Sequence, residues 1–145
     1  MAVSAKWYGQ AVSSAFTKKI NFTSDALKVM LCTSSYVPDQ DNHQFQSSIT
    51  NEVVGTGYTA GGAALSSVTF TYNSGTNVWT LDAADSVWAS STITARYAIV
   101  YDSTPGTAAT NPLVLYVDFG ADVTSTAGNF TITWDSAGIG TITVS

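Results

Sequence analysis

Charge is what this sequence has least of: Asp, Glu, Lys and Arg make up 10% of its 145 residues, against roughly 25% in an ordinary soluble domain. The 5 Lys and Arg are scattered, and the 10 Asp and Glu leave a net charge of −5. A duplex-binding surface needs clustered cations to release phosphate counterions, so nucleic acid is not an expected partner. Cysteine occurs once, at Cys32, which excludes an intramolecular disulfide and any multi-cysteine zinc site. No run approaches the ~18 apolar residues of a membrane helix. The N-terminus, Met1 to Lys6, lacks the charged start and apolar stretch of a secretory signal. The expectation is a soluble chain, neither exported by that route nor inserted in a membrane.

Histidine is equally rare. His43 stands alone in the polar loop Asp39-Gln-Asp41-Asn-His43-Gln-Phe45, and no G-x-S-x-G elbow occurs, so a Ser-His-Asp relay has little to build on. The same loop opens like a calcium loop, but Gln44 and Thr50 occupy the positions that need Gly and Glu. A looser cation site using Asp39 and Asp41 stays open. Asp82 with Asp85, or Asp118 with Asp122, are the available carboxylate pairs for glycoside chemistry, yet each lies beside turn residues where Asp caps backbone N–H groups. Cys32 falls in a strand-like run, where it reads as a small buried apolar residue. The sequons at Asn21 and Asn129 matter only along a secretory route. No motif calls for a cofactor.

What is abundant is hydroxyl: 18 Ser and 21 Thr, 39 of 145 residues. A surface polar mainly through hydroxyls suits a protein packed against neighbours. At this length the default is one domain, residues 1–145. Trp7, Tyr8, Ala11, Val12, Ala15 and Phe16 follow helical spacing, with Lys18 and Lys19 in the last turn, so residues 1–19 read as a helical segment or arm. From residue 20 the period becomes two. Strands are predicted at Ile20–Phe22, Leu27–Cys32, Val68–Tyr72, Val78–Leu81, Ser86–Ala89, Ile93–Tyr101, Leu113–Phe119, Phe130–Trp134 and Gly140–Val144. Ser34 to Gln46 reads as a long loop with a helical turn near Gln44 to Ile49. Glycines at 55, 57, 61 and 62 mark a flexible or tightly bent connection, and Gly120 to Gly128 reads as a loop. Short strands with frequent turns predict a mainly β fold, an antiparallel β-sandwich or jelly-roll-like barrel over residues 20–145 with a short N-terminal helix.

Three stretches carry a resemblance: Trp7-Tyr-Gly9; Ser24-Asp-Ala-Leu-Lys-Val-Met-Leu-Cys-Thr-Ser-Ser-Tyr-Val-Pro-Asp-Gln-Asp41; and Val87-Trp88 followed by Ala95-Arg-Tyr-Ala-Ile-Val-Tyr-Asp102. Pro112 to Asp118 and Phe130 to Trp134 fit the same order. In linear order and local wording the chain resembles small structural proteins of tailed bacteriophages, most of all capsid decoration (cement) proteins. The resemblance implies a non-enzymatic β-rich domain on the capsid exterior, present in the host cytoplasm during assembly. It also implies bridging of neighbouring major capsid protein subunits and self-association as a dimer or trimer. It supplies no residue-level motif. From aromatic and basic composition, the expected contact residues are Trp7, Tyr8, Phe16, Lys18 and Lys19 of the N-terminal segment, with Tyr36, His43 and Phe45 of the loop. The N-terminal aromatics have an intramolecular alternative, in which the helix covers one end of the sandwich. Rival readings are a tail, neck or baseplate component, a host-surface carbohydrate-binding domain using Trp79, Trp88 and Trp134, and a polysaccharide hydrolase using the Asp pairs.

Overall fold

The computed structural model describes residues 2–145. Eight strands and one α-helix are ordered as β1 (Ser4–Trp7), α1 (Gly9–Phe16), β2 (Leu27–Cys32), β3 (Ala63–Ala64), β4 (Thr69–Asn73), β5 (Val78–Asp82), β6 (Ser86–Asp102), β7 (Leu113–Ile132) and β8 (Gly140–Thr143). All pairings are antiparallel and form two sheets, β1-β7-β6-β2-β3 and β4-β5-β8. The architecture is the predicted β-sandwich; neither sheet closes into a barrel.

The larger core lies between the sheets, where Leu27, Val29 and Leu31 of β2 meet Val100, Leu115, Val117 and Leu81. Successive residues of a strand point to opposite faces. Met30 and Cys32 therefore enter a second core on the far side of β2, with Tyr8, Tyr36, Ile99, Tyr101 and Tyr116. Buried on both faces, β2 is an almost unbroken apolar run, as a strand covered on both sides should be. Cys32 is fully buried, and burial pushes its thiol up to about 12.

Three expectations need correction. Residues 4–7 are not helical: β1 pairs with β7, Ser4 to Trp7 facing Asp118 to Leu115. The helix starts only at Gly9, whose N–H donates to the Gln40 carbonyl at 2.9 Å. Ile20 and Phe22 are buried but do not form a strand; the segment is a turn in which the Asn21 N–H donates to Asp25 Oδ2 at 2.6 Å. Finally, the strands predicted at 86–89 and 93–101 are one strand, β6, and β7 runs unbroken through the predicted loop at 120–128. The predicted turn near residue 46 is present as a 3₁₀ turn, Gln46–Ser48.

These long strands are made continuous by bulges. Trp88 faces Phe130 and Ser91 faces Gly128, leaving one extra residue on β6. Ile93 then faces Ser125, returning the extra residue to β7. Ser90 and Ala127 take these positions with left-handed φ of 49° and 47°. Further on, residues 119–122 of β7 stand against Arg96 alone, and Arg96 Nε donates to Asp118 Oδ1 at 2.5 Å across the bulge.

Candidate functional site

The N-terminal segment and the small sheet together build an apolar concavity at the surface. Val12 and Phe16, four residues apart on α1, share its outer face. Between α1 and the inner face of β4, β5 and β8 runs a groove of about 310 Å³, walled by Trp7, Phe22, Phe70, Trp79 and Ile142. Phe22, Phe70, Trp79 and Tyr72 form a ladder of rings with successive centroids 4.8, 4.8 and 5.3 Å apart. Phe16 projects from the rim with 86% of its surface exposed, and Val12 and Val144 are about half exposed beside it. Apolar side chains clustered at the surface in this way make the groove the candidate interaction surface of the chain. The groove continues past Ala15 and Phe22 toward Lys18, Asn21 and Thr23, which give it a polar, cationic end.

Lys18 and Lys19 lie just beyond α1 instead of in its last turn. Thr17 caps the helix, the Lys18 N–H donates to the Ala15 carbonyl at 3.3 Å and the Lys19 N–H to the Ser14 carbonyl at 2.8 Å. This pair of reversed bonds satisfies carbonyls that a helix end leaves open, and it requires the left-handed φ of 61° found at Lys18. Lys19 Nζ is thereby placed 5.4 Å above the ring of Phe45. Two of the predicted contact regions, the N-terminal segment and the loop, meet there.

Tyr8 and Tyr36 are not contact surface. Both are buried in the second core, where the Tyr8 and Tyr36 hydroxyls lie 2.8 Å apart and Tyr36 Oη lies 2.9 Å from Nδ1 of the half-buried His43. Burial raises both phenols, Tyr36 up to about 12 and Tyr8 further. These hydroxyls tie α1 to the loop. For Trp7 and Tyr8 the intramolecular alternative holds: Trp7 Nε1 donates to the Thr141 carbonyl of β8 at 3.0 Å, and β1 is part of the large sheet. Phe16 keeps the exposure that a contact residue needs.

The carboxylates serve the backbone. Asp39 accepts from the N–H groups of Asp41 and Asn42 and from the Asn42 amide, which hold its carboxyl below the ordinary range. Asp82 accepts from Ala83 N–H and Asp85 from Trp134 N–H. Asp118 pairs with Arg96, whose guanidinium lowers its carboxyl, and also accepts from Gly120 N–H. Glu52 accepts from the Tyr58 hydroxyl at 2.7 Å and from Gly61 N–H at 2.6 Å. Among the described residues no three His, Cys, Asp or Glu side chains gather as metal ligands, and no helix is long and apolar enough to cross a membrane. Trp88 and Trp134 are buried in the main core while Trp79 faces the groove, so the three do not share an exposed face for sugar stacking.

Sequence reasoning picked out Trp7, Phe16 and Lys18 but missed Phe22, Phe70, Ile142 and Val144, which only the packing of sheet on helix brings to them. It also missed Asp102, fully buried at the end of β6 with Oδ2 lacking any hydrogen-bond partner. Burial, with the Asp25 carboxylate adding to it, pushes Asp102 up to about 6. Nothing in Val-Tyr-Asp102 distinguishes it from a surface Asp. Compared with protein-family models, curated proteins and solved structures, the chain finds no match.

Proposed function

We propose that this chain is a non-enzymatic structural protein of a tailed-bacteriophage virion, which decorates the capsid exterior and bridges neighbouring major capsid protein subunits. The observation that carries the reading is the exposed apolar rim of α1, above all Phe16, over an aromatic groove with Lys18 at its far end. An aromatic anchor beside an unfilled apolar groove is how interfaces concentrate binding energy. The linear resemblance to decoration proteins supplies the partner, and the acidic net charge suits a station outside the packaged DNA. Asp82 and Asp85 are engaged with the backbone and Asp118 with Arg96, which favours a structural role over hydrolysis.

A ligand that binds only the assembled shell stabilises it by mass action, and many copies on one lattice add to the effect. Purified protein mixed with undecorated capsids of the parent phage is therefore expected to co-sediment saturably and to raise the shell's melting temperature. Phe16→Ser should keep the chain's own melting temperature, because Phe16 is 86% exposed, and should weaken shell binding at least ~10-fold, as loss of a central aromatic contact does. A folded protein that ignores shells but binds isolated tails, necks or baseplates would move it to those structures.

A further inference from the structure

The two sheets end in β1 and β3 and in β4 and β8; β8 is four residues long, and its Thr141 carbonyl already accepts from Trp7 Nε1. β1 carries Lys6 and is covered by β8, to which Trp7 donates through Nε1. β3 is two residues long. β4 is different: it pairs only with β5, it runs for five residues, and its sequence Thr69-Phe-Thr-Tyr-Asn73 contains no charge, no proline and no bulge. Thr69, Thr71, Tyr72 and Asn73 are exposed. Such an edge is a template for another strand, and folded proteins commonly blunt it with Lys, Pro or a bulge.

The strand is also complementary to itself. About Thr71 it reads as a near-palindrome, with an aromatic on either side and a small polar residue beyond each. We propose that the chain forms a two-fold symmetric dimer by antiparallel pairing of β4 with β4 of a second copy, the axis passing at Thr71. Phe70 of one copy then faces Tyr72 of the other, Thr71 faces Thr71, and Thr69 faces Asn73. A same-patch contact of this kind closes on itself and stops at two. Phe70 and Tyr72 lie on the face that carries Trp79, so the ring ladder of each copy continues across the seam and covers Tyr72, now 44% exposed. Two copies that each carry −5 approach through a strand with no charge to repel. The pairing joins two three-stranded sheets into one of six, and it stands independently of the capsid reading.

Sedimentation velocity on the purified chain up to its solubility limit tests the pairing. The wild type is expected at twice the 15.2 kDa chain mass. Thr71→Lys and Thr71→Glu each place like charges directly opposite across the axis and should each sediment at the chain mass. Mixed in equal amounts they should return to twice that mass, which also shows that both variants are folded; Thr71→Ser should remain dimeric. A wild type that stays monomeric, or sediments as a trimer, overturns the proposal. So does a dimer that survives Thr71→Lys, or a mixture of the two charged variants that fails to reassemble.

Discussion

Lys18 holds a φ of 61° that residues other than achiral Gly, and to a lesser degree Asn, adopt at a cost, yet the bonds ending α1 depend on it. Lys18→Gly is accordingly expected to raise unfolding free energy by about 1 kcal/mol, measured by urea denaturation, the relief of strain outweighing the extra chain entropy of glycine. Asp102 presents the opposite case, a side chain that the fold tolerates poorly when charged. Its carboxyl rises from 3.8 to about 6 on folding, so within that window the native state binds the proton more tightly than the unfolded chain. Stability should therefore fall as pH rises from 3.8 to about 6. Asp102→Asn should flatten that slope and gain about 2 kcal/mol at neutral pH, seen by denaturation at a series of pH values. Asp118 acts with the other sign: its lowered carboxyl gives stability that is lost as pH falls below the ordinary Asp range. None of this was legible from residue type. Tyr8 and Tyr36 have the composition of contact residues, and only the hydroxyl pairing in the second core shows that they are structural.

At the scale of elements, β2 by its short apolar run, and the β4–β5 hairpin and β8 by their alternation, can be read from sequence. The long strands do not, because a bulge and a turn use the same residues. Gly120 and Ala127 with left-handed φ look like loop punctuation, yet they only bend β7 while its pairing with β6 continues. β1 gives no periodic signal at all, since Ser4 to Lys6 are exposed and its order comes from β7. The glycine-rich connection is tightly bent. Gly62 has a φ of 75°, and a Cβ there would lie 1.9 Å from the Val29 carbonyl oxygen and 2.6 Å from Met30 Cα. Backbone on backbone cannot yield, so Gly62→Ala should detach β3 from β2 and cost upwards of ~3 kcal/mol by urea denaturation. The same change at Gly106, with φ of 92° but nothing within 4 Å, should cost only about 1 kcal/mol, the conformational penalty alone.

For the whole molecule, the sandwich class followed from the density of short apolar runs, whereas the division into five and three strands did not, because sheet membership is decided by contacts between distant residues. The N-terminal segment contributes a strand, a helix and Tyr8 to that assembly. Deleting residues 1–19 is expected to abolish the cooperative thermal transition seen by circular dichroism, while Phe16→Ser keeps it. A folded, cooperative truncation would return the segment to the role of a detachable arm. The bond from Trp7 to Thr141, 134 residues apart, carries a consequence for how the chain comes into being. On the ribosome the residues of β1 emerge first, and β7, the strand they pair with, only long afterwards. The groove's last wall, Ile142, emerges later still. A nascent chain therefore holds Trp7 and Phe22 uncovered through most of its synthesis, and the finished groove arises only after residue 142 has left the exit tunnel. Slow, late closure of this kind is what a topology dominated by non-local contacts imposes. It postpones recognition of any partner until translation of the sandwich is complete.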